Sequence, residues 1–172
     1  MSKKIVVRMV TLTMALGWVF WGSMSAQAVV EQKGTPVIIA SFASKELRPG
    51  DVWKVYLKAS DPEGKMRYIF ATISQPGVGI YPVSITRIKE ENRKELSGYL
   101  YLNTAPARVT QFFNRSLTLT VNIKGEGSQF SEPAVFPLFF QAQPTQEGPL
   151  EGVFKEQKLG PIMVTLKSGI RR

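Results

Sequence analysis

The sequence predicts an all-β protein, a seven-stranded antiparallel sandwich over residues 36–141. Three observations predict it. Apolar and polar residues alternate with a period of two through this region, which is the pattern of strands with one dry and one wet face. Proline and glycine turn chemistry separates the alternating runs. No stretch sustains a helical repeat.

Residues 1–28 read as an export signal. Lys3, Lys4 and Arg8 make a positive start, Met9–Gly22 is an apolar run of 14 residues, and Ala26-Gln27-Ala28 supplies the small residues of a cleavage site. A spanning helix needs about 20 apolar residues, so the run fits a signal removed after Ala28 better than a membrane anchor. Residues 29–35 form a short leader, and the first strand follows at 36–42.

Arg48-Pro49-Gly50-Asp51 turns the chain into the second strand, where Trp53, Val55, Leu57 and Ala59 alternate with Lys54, Tyr56 and Lys58. Asp61-Pro62-Glu63-Gly64 turns it out again. Strands at 66–75 and 79–88 come next, then the charged connection Lys89–Glu95, whose composition is that of a solvated loop. In the fifth strand Leu96, Leu100 and Leu102 alternate with Ser97, Tyr99 and Tyr101. After a loop or single turn at 104–114, Leu117, Leu119, Val121 and Ile123 mark the sixth strand.

Residues Lys124–Ser128 form a hairpin loop before the seventh strand at 133–141. Pro133 and Pro137 share one parity there, so both missing N–H donors point the same way. That suits an edge strand paired on one side only, with the Leu117 strand. Residues 142–172 are a Pro/Gly-rich linker and an irregular tail, in which Ile162–Leu166 is apolar enough to dock on the sandwich or add a strand.

Composition limits the chemistry. Among 172 residues there is no histidine and no cysteine. This removes thiol nucleophiles, disulfides, His-centred triads and the usual ligand sets for zinc, haem and iron–sulfur clusters. No serine has a lysine three residues on, so the helical Ser-x-x-Lys arrangement is absent as well. The chain carries 22 basic and 13 acidic residues; loss of residues 1–28 leaves 19 against 13, a net charge of +6. A mild positive charge outside the cytoplasm favours an acidic protein or an anionic envelope polymer over nucleic acid.

Four segments together resemble bacterial immunoglobulin-like and fibronectin-type-III-like modules. They are Leu47-Arg48-Pro49-Gly50-Asp51 before the second strand, Lys58-Ala59-Ser60-Asp61-Pro62-Glu63-Gly64 after it, the strand Leu117–Val121, and the hairpin Gly125–Pro133. The chain departs from those modules in lacking a cysteine pair across the sheets, with Trp53 available for a comparable core position. It also carries Lys124 where many such modules have an aspartate, which weakens a calcium reading. The resemblance implies a seven-stranded sandwich used for display or adhesion, and a fold of this kind fixes no ligand.

Within that frame the candidate binding face is the outer side of the second and fifth strands: Lys54, Tyr56, Lys58, Tyr99 and Tyr101. Three phenol rings and two ammonium groups on a stiff surface suit an acidic partner or stacked sugars. Asp61 and Glu63 offer oxygen atoms to calcium, but Pro62 and Gly64 account for the same tetrapeptide as a turn. Phe112-Phe113, flanked by Arg108 and Arg115, suit either a lid over the sandwich end or a sticky tip. Asn114-Arg115-Ser116 is a glycosylation sequon of the kind that arises by chance.

The expectation is an exported, periplasmic or secreted, non-catalytic binding module with no cofactor, no metal and no membrane span after signal removal. Its expected partner is a protein or an anionic envelope polymer. Two alternatives stand beside it: a structural or accessory subunit of an envelope assembly acting through the C-terminal tail, and a carbohydrate-binding module using Tyr56, Tyr99 and Tyr101.

Overall fold

A computed structural model of the chain describes residues 34–105, 115–145 and 147–167. The expected export signal at 1–28, Arg108, Phe112-Phe113 and Asn114 lie outside the described residues. Within them the chain is all-β, and one 3₁₀ turn at Glu90–Asn92 is the sole helical piece.

The strands are β1 (Val37–Ala43), β2 (Glu46–Leu47), β3 (Val52–Ser60), β4 (Tyr68–Gln75), β5 (Gly79–Ile80), β6 (Ser84–Arg87), β7 (Glu95–Asn103), β8 (Ser116–Lys124), β9 (Ala134–Phe140) and β10 (Lys158–Pro161). They form two sheets. The first runs β1-β3-β7-β10; the second runs β2-β9-β8-β4-β5, with β6 also on β4.

The alternation seen in the sequence sets which side of each strand is dry. Trp53, Val55, Leu57 and Ala59 of β3, Leu96, Leu100 and Leu102 of β7, and Leu117, Leu119, Val121 and Ile123 of β8 are all buried. With Ile69 and Ile73 of β4 and Leu138 and Phe140 of β9 they make one continuous cluster drawn from both sheets. Trp53 is its largest fully buried side chain, and its indole N–H donates to the Ser44 carbonyl at 2.9 Å. That bond removes the cost of burying the ring's one polar atom. The turn after β3 is held by Asp61, whose two carboxylate oxygens accept the amides of Glu63 (3.0 Å) and Lys65 (2.9 Å). Gly64 completes that turn at φ +67°, where a side chain would be strained.

Three expectations are corrected. The sheets are mixed and not wholly antiparallel: β10 lies parallel to β7, and β2 lies parallel to β9. Among the described residues ten strands form instead of seven, because the 79–88 run divides into β5 and β6, while β2 and β10 are added at sheet edges. Third, β9 pairs on both sides. The amides of Phe139 and Gln141 donate to the carbonyls of Lys45 and Leu47. Pro137 has the same parity as those two amides, so its missing donor does face away from β8. β2 pairs only with Phe139 and Phe140, so the stretch of β9 that holds Pro137 pairs with β8 alone, as the proline parity predicts.

The core also continues past residue 141. Ile162 and Leu166 are buried in the cluster, with Leu159 and Val164 packed against it. Residues 158–167 are tied to both sheets. Ile162 N–H donates to the Tyr101 carbonyl of β7, Met163 N–H to Ser84 Oγ of β6, and Lys167 N–H to the Tyr81 hydroxyl. The C-terminal segment thus adds β10 as the edge of the first sheet beside β7 and reaches β6 of the second.

Candidate functional site

Strands β3 and β7 are antiparallel neighbours in continuous register from Val52↔Asn103 to Ser60↔Glu95. Lys54 lies opposite Tyr101, Tyr56 opposite Tyr99, and Lys58 opposite Ser97. Period-two alternation with Trp53 and Val55 pointing inward leaves all five candidate side chains on the outer face. The structure therefore brings together Lys54, Tyr56, Lys58, Tyr99 and Tyr101.

Part of that face is not open. Lys54 and Lys58 are exposed and Tyr101 is half-buried, but Tyr56 retains 5% and Tyr99 7% of its accessible surface. The cover is the chain's own segment before β10. Phe154 packs on Tyr56 with ring centroids 5.6 Å apart, and Tyr56 packs on Tyr99 at 5.5 Å. Glu156 carries the polar half of the contact. Its Oε1 accepts the Tyr56 hydroxyl at 2.7 Å and its Oε2 accepts the Lys54 ammonium at 3.1 Å. The same ammonium lies 4.6 Å from the Tyr99 ring centroid, in cation–π range.

Electrostatics follow from this triad. The Tyr56 hydroxyl, and then the Lys54 ammonium, hold the Glu156 carboxyl below its ordinary pKa. The hydrogen bond to Glu156 raises the Lys54 pKa. Burial, then the bond to Glu156, raises the Tyr56 pKa. The ion pair itself is solvated, with 44% of the Lys54 side chain and 64% of the Glu156 side chain exposed. Pairs of this kind contribute about 0–1 kcal/mol, so the segment is aligned by charge more than it is held by it.

Two glycines admit the segment. A Cβ on Gly98 in β7 would lie 2.4 Å from the Gln157 carbonyl oxygen and 2.9 Å from Leu159 Cδ2. A Cβ on Gly160 would lie 2.7 Å from Thr86 Cγ2. Both positions are smooth so that β10 can reach β7 and β6. The Tyr99 amide then donates to the Gln157 carbonyl at 2.8 Å, and the Lys155 amide donates to Ser97 Oγ at 3.0 Å.

Phe154, Lys155, Glu156 and Gly98 are the site residues that sequence reasoning missed. The available signals were a glycine interrupting the β7 alternation and an aromatic–x–acidic triplet in a segment otherwise read as linker. Asp61, by contrast, serves its turn, and Glu63 pairs with Lys65. Arg115 lies at the start of β8, where its carbonyl accepts the Phe140 amide. The exposed apolar side chains of the second sheet, Tyr68, Ile85, Val135 and Phe139, lie apart from this site.

Comparison with family models, with curated proteins and with solved structures finds no match to this chain.

Proposed function

We propose that the chain is an exported, non-catalytic interaction module of immunoglobulin-like sandwich architecture, whose Tyr/Lys face receives an extended acidic protein segment. The strand order supports the architecture: β1-β3-β7 in one sheet and β9-β8-β4 in the other, joined through one shared core. Export rests on the sequence of residues 1–28. The non-catalytic reading rests on a side-chain inventory without histidine or cysteine.

One observation carries the recognition reading. The chain's own Phe154 and Glu156 already occupy the face, ring on ring and carboxylate between ammonium and phenol. They state which chemistry fits there: an aromatic side chain and, two residues on, a carboxylate. A partner presenting that pair along an extended backbone would meet Tyr56, Tyr99, Lys54 and the Ser97 hydroxyl. The geometry favours this over the accessory-subunit alternative, because Ile162 and Leu166 of the tail are used inside the chain's own core. It also favours it over sugar stacking, since the occupant the face already holds is an aromatic ring with a carboxylate.

The test is a titration with an acetylated, amidated peptide of residues 150–157, followed by nuclear magnetic resonance. The Phe154→Ala/Glu156→Ala chain, which keeps the face and loses the two covering side chains, should bind it. Adding Lys54→Glu should abolish binding, and a peptide with lysine in place of Glu156 should restore it. Equal binding of the original peptide with and without Lys54→Glu would refute the reading.

A further inference from the structure

Beneath the turn at 152–155, a cavity of about 390 Å³ separates that turn from the outer face of the first sheet. Its volume falls toward the lower end of small-molecule sites, about 300–1,000 Å³. It lies beside the Tyr56–Glu156 contact and does not use it. Two of its walls are apolar. Ile39 comes from β1, where pairing skips from Ile38↔Ala59 to Ala40↔Lys58 and leaves Ile39 as the extra residue of a β-bulge. Ile39 lies on the exposed side of β1 with Val37 and Ser41 and stays 58% exposed. Val153 and Phe154 of the turn line the cavity as well.

The remaining lining is polar and asymmetric in charge. Lys58 of β3 and Lys155 of the turn bring two ammonium groups, and neither forms an ion pair among the described residues. Ser60 and Ser97 add hydroxyls, and Glu95 adds one carboxylate, cross-strand from Ser60. Both lysines line the one cavity together with Ile39 and Phe154.

We propose that this cavity binds a small amphiphilic monoanion, its apolar body between Ile39 and Phe154 and its carboxylate or sulfonate head on Lys58 and Lys155. Glu95 sets the limit of one charge, because a second anionic group on the ligand would be placed against it. The two sites use different lysines, Lys54 there and Lys58 with Lys155 here, while Ser97 and Phe154 border both, and the lysine variants tell them apart.

The experiment is a fluorescence titration of the full chain with 1-anilinonaphthalene-8-sulfonate, followed by displacement with octanoate. The chain should bind the dye in a saturable way, and octanoate should displace it. Lys58→Gln/Lys155→Gln should weaken both by about tenfold or more, the scale expected for losing charge-assisted hydrogen bonds. Ile39→Ser should weaken the dye while leaving the near-ultraviolet circular dichroism unchanged. Lys124→Gln, a lysine outside the cavity, should have no effect. Failure of the chain to bind either probe, an unchanged affinity in the double variant, or an equal loss in Lys124→Gln would overturn the proposal.

Discussion

Replacing Gly98 by alanine puts a methyl group where the Gln157 carbonyl now sits. The ideal Cβ lies 2.4 Å from that oxygen and 2.9 Å from Leu159 Cδ2, and the nearer atom is backbone and not a flexible side-chain end. The segment must therefore move off β7, and the Tyr99 amide, now 2.8 Å from Gln157 O, loses its acceptor. Overpacking costs about 1–3 kcal/mol, and the lost hydrogen bond adds roughly 1 kcal/mol. Reduced freedom of the unfolded chain returns about 0.4–1 kcal/mol. The net destabilisation is about 1–3.6 kcal/mol, which for a domain of this size corresponds to roughly 4–14 °C in melting temperature. Thermal unfolding by circular dichroism reads this, with amide hydrogen exchange at Tyr99 and Ile162 as the local readout. Gly148→Ala is the control: no atom approaches within 4 Å of its added methyl, and its melting point should not fall. A Gly98→Ala chain that melts with the unaltered protein and keeps slow exchange at Tyr99 would refute the close-approach argument.

Acidification should release the cover over the tyrosines. The folded-state pKa of Glu156 lies below its unfolded value, so its contribution is present above the ordinary carboxylate range and is lost as pH falls through the depressed value. The stability difference between the unaltered chain and Glu156→Gln should thus be present at neutral pH and vanish in acid. Lys54 is shifted upward, so the same difference should fade again as pH rises past the ordinary lysine range; denaturant midpoints against pH check both limbs. Asp61→Ala removes the acceptor for two turn amides at a buried position and should cost about 2–4 kcal/mol. Asp61→Asn, which can still accept one of the two bonds, should recover part of that loss in the same urea titration.

Much of the architecture was legible because alternation is a local property. The Trp53, Leu100 and Leu119 sides of β3, β7 and β8 could be assigned inward from their own neighbours in sequence, and each is at most 1% exposed. The β3–β7 pairing, and with it the grouping of Lys54, Tyr56, Lys58, Tyr99 and Tyr101, followed from the resemblance to immunoglobulin-like modules. What could not be read was set by long-range contact. Two-residue β2 has too little sequence to show a period, and its parallel pairing with β9 depends on where the chain turns after Ala43. β10 contains Gly160 and Pro161, which lower strand propensity, and it forms because β7 and β6 offer it a seat. The burial of Tyr56 and Tyr99 depends on Phe154 and Glu156, about a hundred and about fifty-five positions away in sequence. Gly98, a missing side chain in the middle of an otherwise regular strand, and the Phe154-x-Glu156 triplet were the local signs of that cover.

The measurement that bears most directly on the central claim is the nuclear Overhauser spectrum of the chain with its aromatic rings selectively protonated. The segment before β10 should give cross-peaks from the Phe154 ring to the Tyr56 ring, whose centroids are 5.6 Å apart. A spectrum in which the Phe154 ring shows no contact with Tyr56, while the Phe70–Phe130 contact at 5.4 Å is seen, would contradict the account.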